Sequence, residues 1–187
     1  MLRLETNRLF LRPLSQKDVS AFSEYRSDPD IARYQGWGTP FTEEQAKIFI
    51  DQMKDVVPGE AGQWLQLGME LKTTGILIGD VAFQVIKDSH RQAEIGMTLS
   101  RPYHKLGYGF EAVSALMDYL FNDLKVHRVI ANCDPDNHPA HRLLERIGFR
   151  REGLFVESLW YKGDWASELW FALLEREWKE LHPSQVE

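Results

Sequence analysis

The stretch that limits most what this chain can fold into runs from Arg91 to Ala112, RQAEIGMTLSRPYHKLGYGFEA, because its apolar period changes part-way along. Ala93, Ile95, Met97 and Leu99 alternate with Glu94, Gly96 and Thr98, the two-residue repeat of a strand with unlike faces. From Phe110, the residues Val113, Leu116, Met117, Leu120, Phe121 and Leu124 recur at three and four positions, which lays an apolar stripe along a helix. Gly107 and Gly109 stand at the switch. Lacking a Cβ, they let the backbone come close to a ligand, and a helix start leaves N–H groups unpaired with the positive dipole end facing outward. Such a place suits a phosphate.

The flanking chain alternates in the same two periods. Leu9 to Leu14 reads as a strand, and Ser15 with Asp18 as the cap of a helix that reaches about Arg26. Ile31 to Phe41 holds Tyr34, Gly36, Trp37 and Gly38 among polar residues and reads as a flexible aromatic loop. Thr42 with Gln45 is a capping box for a second helix ending near Val57. Trp64 to Leu71, Ile76 to Ile86 with a bulge at Gly79, and Arg91 to Leu99 form an antiparallel meander. After the glycine helix come a short strand, Arg128 to Cys133, and an Asp134-Pro135-Asp136-Asn137 turn. A helix with Ala140, Leu143, Leu144 and Ile147 on one face then stops at Gly148. Phe149 to Glu157 and Trp165 to Leu173 pair as a closing hairpin through Lys162-Gly163-Asp164. The order β-α-α-β-β-β-α-β-α-β-β predicts an α/β (α+β) fold: a long, mostly antiparallel sheet with helices on both faces. At 187 residues the chain fits one domain, over residues 1–180, with a disordered tail at 181–187.

Charge and composition exclude several classes. A net charge of −6 disfavours nucleic acid as a partner and suits a cationic small substrate. One cysteine, Cys133, leaves no internal disulfide and fits a reducing compartment. Arg3, Glu5 and Arg8 interrupt any signal-peptide pattern, and no apolar run reaches membrane-spanning length, so the cytoplasm is the expected location. His138 and His141 are three apart, but with Cys133 they make no tetrahedral zinc-type set, so no metal is expected and the histidines should face solvent. Gly107-x-Gly109-x-x-Ala112 also matches a dinucleotide fingerprint; its glycines lie too far past the strand for that tight turn, and the upstream strands form no βαβ unit. No nucleophile elbow is present.

With strand, glycine loop, helix and DPDN turn laid out, the chain resembles the GNAT superfamily of acetyl-CoA-dependent N-acetyltransferases, and within it the RimJ/RimL-like branch. The resemblance runs from TNRLFLRPLSQKD to DWASELWFALLEREW and is most specific in AEIGMTLSRPYHKLGYGFEA and DPDNHPAHRLLERIGFRREG. It implies a seven-stranded sheet splayed after the fourth strand, with the pantetheine arm of acetyl-CoA filling the gap against backbone groups of Met97, Thr98 and Leu99. It also implies a diphosphate on the N–H groups of Lys105, Leu106, Gly107, Tyr108, Gly109 and Phe110, with Asn132 and Asn137 holding the arm from the other side. The loop begins with His104, where the family usually has Gln or Arg.

Acetyl transfer to an amine needs a neutral nucleophile, a polarised thioester carbonyl and a thiolate that leaves. An alkylammonium has a pKa of about 10, so a base is useful at neutral pH. Glu94, on the strand leading to the cleft, is the candidate base, and partial burial would raise its pKa usefully; its bland alternative is a salt-bridged or solvent-facing glutamate. Backbone N–H groups near Met97 to Leu99 would polarise the carbonyl. Where relatives carry a Tyr or Ser near the Asn turn, this chain has Leu144 and Ala140, so the proton donor to the thiolate stays open, with water or Tyr103 as options. Tyr34, Trp37 and Trp160 are the expected aromatic wall for the acceptor, and Glu157 and Asp164 add acidity that favours a cation. The acceptor is a protein N-terminus or a small cationic amine, and the sequence leaves room for a homodimer. The competing reading is a non-catalytic acyl-CoA-binding module of the same fold.

Overall fold

The computed structural model describes residues 2–183. Eight strands form one sheet: β1 (Leu4–Glu5), β2 (Leu9–Pro13), β3 (Leu65–Leu71), β4 (Leu77–Val85), β5 (Gln92–Leu99), β6 (Arg128–Cys133), β7 (Arg150–Tyr161) and β8 (Asp164–Leu174). Their order is β1-β2-β3-β4-β5-β6-β8-β7. The sheet therefore has one strand more than the seven expected. The addition is β1, which pairs only through Leu4 with Leu11 and Glu5 with Phe10, too short a run to show a period in the sequence.

Every neighbouring pair is antiparallel except β5 and β6, and that exception opens the sheet. The two pair only at Gln92–Arg128, Ala93–Val129 and Glu94–Ile130. Beyond Glu94, β5 stays on β4 as far as Gly79–Leu99, while β6 stays on β8 as far as Cys133–Leu169. From Ile95 onward the facing edges part, after the strand named fourth in the seven-strand expectation.

Alternation decides what covers each face. Leu67, Met69, Val81 and Phe83 point into the larger core with Val113, Leu116 and Met117 of α4 (Tyr108–Asp118), numbered after the three earlier helices, and with Leu120 of the π-helical turn that follows it. The opposite face carries Gly68 and Asp80 and is covered by α1 (Val19–Arg26), α2 (Pro29–Ala32) and α3 (Glu43–Met53), whose Phe22, Tyr25 and Ile50 form a second core. Burying that many apolar side chains is the main driving term for closing the layers. Asp80 is fully buried there, accepting from Tyr25 and Gln66 and facing the buried Arg26.

Local signals read from the sequence hold in most places. Ser15 with Asp18 and Thr42 with Gln45 both close capping boxes, although α3 ends at Met53, short of Val57. The bulge falls at Ile78, since Met69 faces Gly79 and Glu70 faces Leu77. Gly79 is required for another reason: a Cβ there would lie 2.4 Å from the Thr98 carbonyl oxygen and 3.0 Å from the Leu99 Cα. Asn137 caps α5 (His138–Ile147), its Oδ1 accepting from Ala140 N at 3.3 Å. β7 and β8 join at Lys162–Gly163, both at positive φ, the two-residue turn that matches strand twist.

Two further expectations fail. His141 is buried on the Phe171 ring with its Nε2 at 3.0 Å from the Asp134 carbonyl, so of this pair His138 alone faces solvent. The helix α6 (Glu175–Leu181) reaches into the expected tail, and residues 184–187 of that tail lie outside the described residues. No helix among the described residues is long and apolar enough to cross a membrane.

Candidate active site

The parted strands make the floor of a cleft with two limbs. One, of about 590 Å³, runs over the glycine loop and along α5 as far as Arg146. The other, of about 370 Å³, runs between β5 and the β6–β8 side. Both are lined by Tyr34, Gln35, Met97, Asn137, Ala140 and Leu143, so they meet at the gap.

The larger limb is built to take negative charge. Gly107 caps α4 at φ 83°, and the Glu111 N–H already bonds its carbonyl. The N–H groups of residues 105–110 have no acceptor among the described residues, as a new helix start leaves them. The His104 N–H is taken by the Arg101 carbonyl and its Nε2 lies 2.7 Å from the Leu99 carbonyl, so the free run begins at Lys105. Lys105, Arg142 and Arg146 line the limb as cations, and Arg101 does so while paired with Asp28 and Asp30. Of the loop, Lys105, Gly107, Gly109 and Phe110 line it; the Leu106 side chain is turned to solvent and the Tyr108 ring lies under Arg8.

The backbone of β5 supplies fewer free groups than expected. Its odd residues face β6 and its even residues face β4, as the Arg91 carbonyl accepting from His127 and the Gln92 carbonyl accepting from Ile86 show. Met97 and Leu99 thus turn their N–H and C=O toward the gap, where Gln35 Nε2 reaches the Met97 carbonyl at 3.4 Å. Thr98 is a correction: its carbonyl is directed at Gly79 on β4, so it offers the gap a wall and no hydrogen bond.

The smaller limb is acidic and aromatic. Glu94, Asp134 and Glu168 line it with Tyr34, Trp64 and Tyr161. The Glu94 carboxylate accepts from Gln84 Nε2 at 3.0 Å and has no cationic partner among the described residues, so the salt-bridged alternative does not apply. Tyr161 donates to the Gln35 carbonyl, and Lys162 Nζ reaches the Ala32 carbonyl at 2.6 Å, so the hairpin tip pins the segment after α2 over the junction. Burial first, and then the Asp134 charge, push the Tyr161 phenol up, which keeps it protonated at neutral pH. Cys133 also lines this limb; burial and then Asp134 push its thiol up to about 12, so it is no nucleophile at neutral pH.

Asn132 lines the acidic limb and Asn137 both, while Trp37 and Trp160 line neither. Trp37 donates to the Arg26 carbonyl at 2.9 Å and lies 3.9 Å from its guanidinium carbon, held in the second core by a cation–π contact. Trp160 is exposed and packs edge-on to Trp165. Glu157, Asp164 and Tyr103 are likewise absent from the acidic limb. Arg142 and Arg146, four apart on α5, share one helix side, and that i, i+4 spacing is the signal in the sequence that marks them as a cationic pair.

No group of three or more His, Cys, Asp or Glu among the described residues is placed to hold a metal. Residues 8–150 match the family model described as the acetyltransferase (GNAT) domain. The chain belongs to the GNAT acetyltransferase family. This acetyltransferase is 35% identical over 177 residues to the uncharacterized N-acetyltransferase YnaD of Bacillus subtilis, covering 95% of this chain and 99% of that one. A crystal structure of a GNAT-family acetyltransferase from Bacillus anthracis superposes on it with a TM-score of 0.83 at 33% identity, covering 94% of this chain and all of the other. A more distant relative, the ribosomal protein uS5 alanine N-acetyltransferase of Escherichia coli, is 30% identical over 103 residues, 54% of this chain and 53% of that one. The protein is an N-acetyltransferase, and its family uses acetyl-CoA.

Proposed function

We propose that this enzyme moves the acetyl group of acetyl-CoA directly to a primary amine, with both bound at once in one domain over residues 1–180. One observation carries the reading: a cationic limb with free N–H groups and an acidic limb meet at the free edge of β5. A nucleotide diphosphate fits the first and an ammonium the second.

Acetyl-CoA supplies an activated thioester. The N–H groups of residues 105–110, with Lys105, Arg142 and Arg146 nearby, hold the diphosphate. Met97 and Leu99 pair with the amide-bearing arm as a neighbouring strand would, and Asn137 stands across the gap. The N–H of Met97 polarises the thioester carbonyl. Glu94 takes the ammonium proton, and Asp134 and Glu168 draw the cation into the limb. Ala140 and Leu144 give the thiolate an apolar wall, while a thiol pKa of about 8.5 lets it leave without an obligatory acid.

The acceptor is a small cationic amine or a protein N-terminus. The match to the uS5 alanine acetyltransferase supports the RimJ/RimL-like branch and, with it, a protein N-terminus. The cytoplasm is the compartment this implies. The exposed apolar residues Leu154, Phe155, Val156 and Trp160 on the sheet's edge strand β7 favour a homodimer. Release of free thiol from acetyl-CoA across a panel of diamines, polyamines and peptides with free N-termini tests the reading. Turnover should concentrate on cationic amines, and an enzyme acting only on neutral or anionic acceptors would contradict it.

A further inference from the structure

The glycine loop does not hold itself in place. Behind it lies the turn between β1 and β2, and Arg8 of that turn bonds the loop from the side away from the cleft. Arg8 Nη1 donates to the Leu106 carbonyl at 2.9 Å, and its guanidinium carbon stacks 4.2 Å from the Tyr108 ring centroid. Its Nε donates to Glu111 Oε2 at 2.6 Å, and Glu111 Oε1 accepts from both Arg8 N and Thr6 Oγ1 at 2.6 Å. Burial acts to raise the pKa of Glu111, yet the bonds from Thr6 and Arg8 prevail and hold it below the usual carboxylate range, so the clamp is ionised at neutral pH.

The consequence for the loop follows from peptide geometry. The Leu106–Gly107 bond is trans, so its carbonyl and its N–H point in opposite directions. Fixing the Leu106 carbonyl on Arg8, outside the cleft, turns the Gly107 N–H inward. Gly107 is where that plane is least constrained from within, because at φ 83° glycine alone avoids strain and has neighbouring conformations open to it. A loop with this peptide reversed would aim a carbonyl oxygen at an incoming diphosphate.

We infer that Arg8 is a positioning residue of the diphosphate site, fixing the Leu106–Gly107 peptide in its donor-inward orientation, with Thr6 and Glu111 fixing Arg8. Arg8 does not itself line the cleft. The inference deepens the proposed function and rests on its placement of the diphosphate over residues 105–110.

The test compares two acetyl donors in thiol-release assays: acetyl-CoA, and acetyl-pantetheine, which lacks the diphosphate. Arg8→Met keeps a stem over Tyr108 and removes the donors. It should raise KM for acetyl-CoA about tenfold, the scale of one lost charged hydrogen bond, with kcat for acetyl-CoA and KM for acetyl-pantetheine each within twofold of wild type. Arg8→Lys, which keeps the charge but loses the fork, should fall between them and covers the case in which Arg8→Met folds poorly. Equal losses with both donors, or an unchanged KM for acetyl-CoA in a variant of lowered Tm, would reduce Arg8 to a structural brace and overturn the inference. If the wild-type enzyme itself fails to prefer acetyl-CoA over acetyl-pantetheine, the diphosphate placement fails first, which separates the two errors.

Discussion

Gln84 and Glu94 face one another across β4 and β5, and the Gln84 amide donates to the Glu94 carboxylate at 3.0 Å. A neutral donor on one oxygen orients the carboxylate and leaves its other oxygen for an ammonium or a water. Glu111, by contrast, has both oxygens taken by Thr6 and Arg8. Only the first arrangement suits a group that must accept a proton.

Glu94→Gln should therefore lower turnover roughly 100-fold at neutral pH, the lower end of what a general base contributes. The deficit should shrink as pH approaches about 10, where the amine is neutral without help. KM for acetyl-CoA should stay unchanged. A pH profile of thiol release for the two enzymes measures this, and a deficit constant across pH would remove Glu94 from the base role.

Tyr34 and Trp37, both in the segment after α2, should part company. Tyr34→Ala opens the junction of the limbs and should raise the acceptor KM. Trp37→Ala strips the buried Arg26 of a stacking partner and should cost about 2 kcal/mol, lowering Tm by roughly 4–8 °C with the acceptor KM unchanged. Melting curves beside steady-state kinetics decide between them.

Cys133→Ser should retain most of the wild-type turnover, because a thiol pushed up to about 12 is not a nucleophile at neutral pH. Intact-mass spectrometry after mixing with acetyl-CoA should show no acetylated protein intermediate. A covalent adduct lost in Cys133→Ser would replace direct transfer with a two-step route.

Acid should loosen the β6–β7 side through Glu152. The Arg128 fork is the main cause that lowers its pKa to about 2; burial opposes it and Arg150 adds to it. Since the folded value lies below the ordinary 4.5, this stabilisation is complete above pH 4.5 and is lost as pH falls toward about 2. Glu152→Gln should flatten the fall of Tm over that window, as read by circular dichroism; an acid limb as steep as that of wild type would contradict the account.

What the sequence made legible was periodic or chemically local. The change of period at Gly107, the Thr42–Gln45 box and the positive-φ turn at Lys162–Gly163 each rest on a few adjacent residues, and each stands in the structure. The remainder depended on tertiary partners. Trp37 turned inward because Arg26, eleven residues earlier, needed a cover. The Thr98 carbonyl was lost to the gap through strand phase against Gly79, which no composition reveals. Arg8 reached the glycine loop only because β2 comes back beside α4.

The central claim is that the amides of residues 105–110 grip the diphosphate of the cosubstrate. Calorimetric titration with coenzyme A and with pantetheine tests it most directly. The account predicts one site per chain for coenzyme A, with binding weakened at least tenfold when the diphosphate is missing. Equal heats and affinities for the two, or no binding of either, would contradict it.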